Sequence, residues 1–211
     1  MLRFLTLGPE SGNHGFVLRR YLAAHGLRPQ VQATVGYVED FHDAARQVIA
    51  GEADFLMQCA VHPAAPEITG RYRNALFVVD AFVSPSQPMA LLRSTQPVAH
   101  GGAAVRDAVG LQPATEHYVD LSRWPKRVLE PTVFAVGQGL LQGRYAAGIA
   151  FEALAHEYPD RLAVVQPIGA VCDAWIVFGP RPVDRGQALV WTSSPAAALF
   201  RRSDGPATNH P

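Results

Sequence analysis

The sequence is poor in cysteine, with two in 211 residues, Cys59 and Cys172. Their separation excludes the close spacing of a metal-binding motif, and reduced thiols in the cytosol are the expectation. The eight histidines also lack H-E-x-x-H or any other ligand pattern. We therefore predict that the protein holds no metal.

A charge excess of one sign is missing as well, and so are long apolar runs. Lys+Arg and Asp+Glu number 18 each, so nothing favours nucleic acid or an anionic membrane face as a partner. No stretch reaches the roughly 18 apolar residues of a membrane span. The apolar run at the start stops at Leu7, too short for the core of a signal peptide. A cytoplasmic protein is expected.

Apolar residues are plentiful instead, at 48% of the chain, enough for a sizeable core. Apolar, β-branched runs alternate with segments that carry helix caps, which is typical of α/β folds with covered parallel sheets. We predict helices over residues 15–25, 41–50, 115–123, 132–141, 152–158 and 195–202, and an edge strand over 188–191.

One arrangement occurs twice: a helix, a glycine-containing turn and an apolar strand follow one another over 44–59 and over 133–151. This predicts two similar lobes with a ligand cleft beyond the carboxyl ends of their strands. The expected division is residues 1–92 plus 172–202 for the first lobe, 93–171 for the second and 203–211 for a flexible tail, with crossings near 92–93 and 166–171.

The sharpest local motif is the end of the first predicted strand. Gly8 and Pro9 turn the chain, and Ser11, Gly12 and Asn13 open a helix. Backbone N–H groups at a helix start attract anions, aided by the helix dipole. An ordinary capped turn is the alternative interpretation.

This motif resembles the start of prephenate dehydratases, roughly G-P-x-G-T-[YF]-[ST]-x-x-A. Further matches are Phe41-His42-Asp43, Gly51-Glu52-Ala53-Asp54 and the stretch 143–150, so that the resemblance covers about residues 4 to 180. It implies a two-lobed, periplasmic-binding-protein-like (type II) fold of the prephenate dehydratase catalytic-domain type. The remaining residues leave no room for a regulatory ACT domain.

The chain departs from that family where the dehydratases carry Thr-Arg-Phe, whose Thr assists loss of the ring hydroxyl and whose Arg grips a carboxylate. Asp173 and Ala174 stand there instead. The small prephenate decarboxylase subgroup of the bacilysin-pathway type is a closer match, and it resembles this chain at His62, at Arg73 and around Trp175. The resemblance implies decarboxylation of prephenate to a dihydro-hydroxyphenylpyruvate in specialised-metabolite biosynthesis, with no cofactor.

Keeping the ring hydroxyl requires an acid that protonates a ring carbon instead. His14 and His62 are the catalytic candidates, because histidine titrates nearest neutrality and each follows a predicted strand end. A solvated helix start and an ordinary loop are their alternative interpretations. A dehydratase that forms phenylpyruvate, and a non-catalytic small-anion binding protein, remain alternatives for the whole chain.

A prephenate-like dicarboxylate needs hydrogen-bond donors, from helix starts and from arginine. Most arginines lie on the surface, a buried tryptophan is usually core, and a lone cysteine is usually inert. A homodimer is compatible with the sequence. The predicted substrate-binding residues are Pro9, Glu10, Ser11, Gly12, Asn13, Cys59, Arg73, Arg93, Ala114, Thr115, Thr132, Arg144, Asp173 and Trp175.

Overall fold

A computed structural model describes residues 1–95 and 107–197, which form two five-stranded sheets with helices packed on them. The predicted two-lobed α/β class is confirmed. The strands are β1 (Leu2–Leu7), β2 (Ala33–Val38), β3 (Phe55–Cys59), β4 (Phe77–Pro85), β5 (Met89–Ser94), β6 (Ala108–Leu111), β7 (Lys126–Leu129), β8 (Ala147–Phe151), β9 (Leu162–Gly169) and β10 (Cys172–Gly179). The helices are α1 (Asn13–Ala24), α2 (Phe41–Ile49), α3 (Ala65–Arg71), α4 (Val133–Leu141) and α5 (Ala153–Glu157).

The two sheets share one topology. The first has the order β2-β1-β3-β10-β4 and the second β7-β6-β8-β5-β9. In each, three adjacent strands run parallel, and the strand next to them (β10 or β5) is antiparallel to both of its neighbours. The sheets are therefore mixed rather than wholly parallel as predicted, because the strand that follows each crossing, β5 after the first and β10 after the second, runs antiparallel to its neighbours.

The chain crosses between the sheets at residues 86–88 and 170–171. The first crossing lies earlier than the predicted 92–93, because the whole of β5 pairs with β8 and β9 in the second sheet. The first sheet thus comprises strands from residues 2–85 and 172–179, and the second those from 89–169.

Two predicted elements are wrong. Instead of a helix over 115–123, the described chain has a short 3-10 turn, Pro113–Thr115, followed by turns. Asp120 accepts hydrogen bonds from the backbone and the hydroxyl of Ser122, and such local bonds compete with a helix. Residues 188–191 are described and lie outside any strand. The predicted tail 203–211 and residues 198–202 of the final helix lie outside the described residues.

Both faces of each sheet are covered by apolar residues. In β5, Met89 and Leu91 pack on one face while Ala90 and Leu92 pack on the other, as the two-residue period of a strand requires. No helix in residues 1–95 or 107–197 is long and apolar enough to cross a membrane.

The second lobe is organised around a fully buried tyrosine, Tyr145. Its hydroxyl donates to the Val136 carbonyl at 2.8 Å, and its ring lies against Gly110 and Gly139. A Cβ at either glycine would overlap the ring. Glycine is needed at both positions because the Tyr145 ring leaves no room for a Cβ.

We therefore expect Gly139→Ala to destabilise the protein by about 1–3 kcal/mol through overpacking, measured by urea denaturation. Gly70→Ala is the matched control, because a Cβ at this residue of α3 has no described neighbour within 4 Å. It should be neutral or slightly stabilising. Equal stability of the two variants would contradict the role assigned to Tyr145.

Candidate active site

A cleft of about 220 Å³ lies between the two sheets, at the level of the crossing segments. This is enough for a small molecule and little more. Both lobes contribute walls, and β1 of the first lobe and β6 of the second lobe end toward it. Its described lining is Leu7, Gly8, Pro9, Gly12, Asn13, His14, Cys59, Val61, His62, Pro63, Ser86, Met89, Gln112, Ala114, Thr115, Tyr118, Pro131, Thr132, Val133, Phe134, Phe151, Val171 and Asp173.

The start of α1 forms one wall. The loop before it folds back so that the Gly12 N–H donates to the Pro9 carbonyl at 2.9 Å. A Cβ at Gly15 would overlap the Glu10 carbonyl, so the loop packs directly on the helix. Within the described chain, Gly12 supplies no side-chain cap and the first turn carries no acidic residue. The first turn of α1 therefore presents backbone donors beside the cleft.

The start of α4 forms the opposite wall. Thr132 caps it by accepting from the Ala135 N–H at 3.0 Å, while Val133 and Phe134 face the cleft. Beside it, the Gln112 side chain accepts from the Ala114 N–H at 2.8 Å and so begins the 3-10 turn. Two helix starts, one from each lobe, thus share one cleft.

His14 and His62 lie together, with ring centroids 6.0 Å apart. His14 is enclosed by Phe41 and Trp175, and its Nε2 accepts from the Cys59 N–H at 3.4 Å. Burial, with the nearby His62 as a lesser cause, lowers the pKa of His14 to about 3. Its imidazole is therefore neutral at neutral pH.

His62 is less enclosed than His14. Its Nδ1 accepts from the Ala64 N–H at 3.2 Å, which leaves the proton of the neutral ring on Nε2. Burial lowers the pKa of His62. The Cys59 thiol nearby has its pKa raised to about 11, chiefly by burial, and so remains protonated. His14, His62 and Cys59 are thus all uncharged at neutral pH. His62 in this state carries an N–H donor at Nε2.

The cleft also holds a carboxylate. Asp173 accepts a hydrogen bond from the Ser86 hydroxyl at 2.7 Å, and Ser86 accepts from the Asn13 side chain at 3.2 Å. In addition, the Gln87 N–H donates to the Asn13 side-chain oxygen at 3.0 Å. These bonds tie the start of α1 to the first crossing segment and to the start of β10.

Ten of the sixteen predicted site residues line this cleft: Pro9, Gly12, Asn13, His14, Cys59, His62, Ala114, Thr115, Thr132 and Asp173. The other six, all within the described chain, lie outside the lining. Trp175 is fully buried and packs against His14, with ring centroids 5.1 Å apart, so it supports the cleft wall without lining the cleft. Glu10 pairs with Arg19, and the Ser11 carbonyl accepts from Gln87.

The three arginines expected as carboxylate clamps are also outside. Arg144 pairs with Glu130 and donates to the Ala135 carbonyl. Arg73 is exposed in the turn after α3, and Arg93 is exposed on β5. Consequently the described lining contains no lysine or arginine. Nor do the described residues bring together three metal-ligating side chains.

Several lining residues were missed, above all Ser86, Gln112 and Tyr118. Ser86 directly follows β4, and Gln112 directly follows β6. Ser86 and Gln112 were thus predictable from the sequence, because each follows the end of a strand, as His14 and His62 do. Tyr118 has no such signal, because it lies in the turns where a helix was predicted.

No family model matches the sequence, and no curated protein is similar to it. Among solved structures, the chain is similar to a prephenate dehydratase from Arthrobacter aurescens in complex with L-Phe, at 18% identity and a TM-score of 0.61. The match covers 89% of this chain and 62% of that one, so the chain spans about three fifths of that structure's length.

Two further structures are similar. The prephenate dehydratase from Staphylococcus aureus has 12% identity and a TM-score of 0.50 over 85% of this chain and 68% of that one. GqqA, described as a novel type of quorum-quenching acylase, has 13% identity and a TM-score of 0.50 over 86% and 65%. At these identities the similarity establishes the fold: the chain has the two-lobed fold of the prephenate dehydratase catalytic domain.

Because burial keeps His14 neutral, we expect stability to fall as the pH is lowered. The unfolded chain protonates His14 near its ordinary value of 6.5, the folded chain only near 3. Between these values the unfolded state binds the extra proton, so the free energy of unfolding decreases toward low pH. His14 keeps some surface toward the cleft, so ~1.4 kcal/mol per pH unit is its upper limit.

The measurement is urea denaturation between about pH 4 and 6, a window inside the two pKa values. His14→Gln should flatten the pH dependence of the unfolding free energy, whereas His156→Gln, at an exposed position in α5, should not. Identical slopes for the two variants would refute the buried neutral state of His14.

Proposed function

We propose that the cleft binds a prephenate-type cyclic carboxylic acid and that the protein is a prephenate decarboxylase. The reaction would release CO2 without a cofactor and leave a non-aromatic dihydro-hydroxyphenylpyruvate, as in the biosynthesis of bacilysin-like specialised metabolites. The supporting observation is the meeting of two helix starts, one histidine N–H donor and a carboxylate in one small cleft. The cytoplasmic location and a homodimeric state remain predictions.

Substrate carboxylates would be held by backbone donors and His62. The starts of α1 and α4 present N–H groups with the positive end of each helix dipole. A bound carboxylate also favours the protonated form of His62, because an opposite charge nearby raises the pKa of an imidazole. Binding would therefore protonate His62 at Nδ1, and the Ala64 N–H would then lose its acceptor there.

Decarboxylation is favoured over dehydration by the residue that occupies position 173. Loss of the ring hydroxyl as water requires an acid that protonates it. Asp173 instead accepts a hydrogen bond from Ser86, as a carboxylate does. The apolar residues Met89, Phe134 and Phe151 in the wall favour CO2 loss, because a desolvated carboxylate is less stable than the neutral product.

The proton would come from His62. The bond between the ring carbon and the carboxylate breaks, CO2 leaves, and the electron pair enters the ring. The His62 imidazolium then donates its Nε2 proton to a ring carbon and is reprotonated from solvent through its exposed side. His14, expected as an alternative acid, is poorly suited, because burial keeps it neutral at neutral pH. Its role would be to support the cleft wall.

A non-catalytic small-molecule binding protein is the second candidate. One observation favours it: the described lining has no cationic side chain, whereas a site for a dianion is expected to contain one. In that case the cleft would hold its ligand through neutral donors alone.

Incubation of the purified protein with prephenate distinguishes these functions. Release of CO2 with a non-aromatic keto acid supports decarboxylation. Phenylpyruvate, recognised by its near-ultraviolet absorbance, would indicate a dehydratase. Thermal stabilisation by prephenate without turnover would indicate the binding protein. Neither turnover nor stabilisation would overturn the proposal as a whole.

If His62 is the acid, His62→Asn should lower kcat for prephenate by about 10²- to 10⁴-fold, the usual contribution of general acid catalysis. His156→Asn makes the same change at an exposed position outside the cleft and should keep the wild-type rate. The initial rate of CO2 release is the measurement. A His62→Asn variant with wild-type kcat would remove this residue from the mechanism.

A further inference from the structure

Asp173 is the end of a directed chain of hydrogen bonds. The Gln87 N–H donates to Asn13 at 3.0 Å, Asn13 donates to Ser86 at 3.2 Å, and Ser86 donates to Asp173 Oδ2 at 2.7 Å. The Ser86 N–H also donates to the Val171 carbonyl at 2.8 Å, which joins the two crossing segments. Bonds that all run in one direction reinforce one another.

This chain fixes the carboxylate as an acceptor. Ser86 is 5% exposed, and its hydroxyl has its proton committed to Asp173 and its lone pair to Asn13. Among the described residues, Ser86 is the one donor to Asp173, and it uses Oδ2. Asp173 lines the cleft, and since none of the described residues donates to its Oδ1, that oxygen can accept from a ligand. A carboxylate can only accept, and so it demands a donor.

We infer that Asp173 is a specificity-determining residue that accepts a hydrogen bond from a ligand hydroxyl, with Ser86 and Asn13 as its positioning residues. This rests on the proposed function, because it assumes that the ligand is a cyclic carboxylic acid. It adds that the preferred ligand carries a hydroxyl at the end of the ring away from its pyruvyl group, and that the protein keeps that hydroxyl bound and unprotonated.

The charge of Asp173 favours ligands with the hydroxyl and also disfavours ligands without it. A hydroxyl gains a charge-assisted hydrogen bond there, which is stronger than one between neutral partners. A second carboxylate at the same place is repelled, and a bare ring edge leaves the carboxylate desolvated without a partner. Ligands without the hydroxyl therefore lose affinity for a reason independent of how their pyruvyl carboxylate is held.

Phenylpyruvate and 4-hydroxyphenylpyruvate are a matched pair of probes, because they differ only in the ring hydroxyl. We expect the wild-type protein to bind 4-hydroxyphenylpyruvate about 10- to 100-fold more tightly, the usual range for a hydrogen bond to a charged group. Isothermal titration calorimetry gives both dissociation constants. Asp173→Asn should reduce the ratio of the phenylpyruvate to the 4-hydroxyphenylpyruvate dissociation constant about tenfold, because it weakens the hydrogen bond to the hydroxyl and relieves the desolvation penalty that phenylpyruvate meets.

Ser86→Ala tests the positioning residue. It should lower the ratio of the phenylpyruvate to the 4-hydroxyphenylpyruvate dissociation constant, whereas general damage to the cleft would weaken the binding of both compounds alike and leave their ratio unchanged. Asp184→Asn, at an exposed aspartate after β10 and outside the cleft lining, is the control and should keep the wild-type ratio.

The outcomes separate the two claims. A wild-type ratio near one, with both compounds bound, overturns the role of Asp173 and leaves the proposed carboxylic acid site standing. A ratio in Asp173→Asn equal to that of the wild-type protein also overturns the role of Asp173 and leaves the carboxylic acid site standing. Failure of the wild-type protein to bind either compound at millimolar concentration overturns both this inference and the proposed function.

Discussion

The double crossing of the chain between the two sheets is the constraint on which the site depends. The crossing segments are two and three residues long and are joined by the hydrogen bond from the Ser86 N–H to the Val171 carbonyl. With links this short, the start of α1 in one lobe and the start of α4 in the other must face each other. The cleft is therefore a consequence of topology, and Ser86 and Asp173 lie in it because they lie at the crossings.

Burial assigns different chemistry to two histidines that the sequence presents as equivalent. His14 lies between Phe41 and Trp175, where a charged imidazole would lose its hydration, and its Nε2 is occupied by the Cys59 N–H. His62 also lines the cleft, and its proton lies on Nε2 because Nδ1 accepts from the Ala64 N–H. One ring is thus part of the wall, and the other is the proposed proton donor.

The sequence predicts best the features that local chemistry determines. The turn from Gly8 into α1 and the capping of α4 by Thr132 depend on neighbouring residues, and both helix starts are where the motifs place them. The arginines show the limit of this reasoning. The direction of Arg144 depends on Glu130, fourteen residues away, and no local pattern reveals that pair. The position of the crossing after β4 depends on which strands pair with β5, and an apolar run does not specify its pairing partners.

For the proposed decarboxylation, the two-lobed fold needs to supply little chemistry, because prephenate itself would supply the electron sink. Whether the ring aromatises depends on whether the protein protonates the hydroxyl or leaves it bound. A threonine-arginine pair at the end of the cleft would favour the first course, whereas a carboxylate held by Ser86 favours the second. In the proposed reaction, the product would then depend less on the acid at His62 than on the absence of an acid beside the hydroxyl. Closely similar clefts can then give different products through one residue.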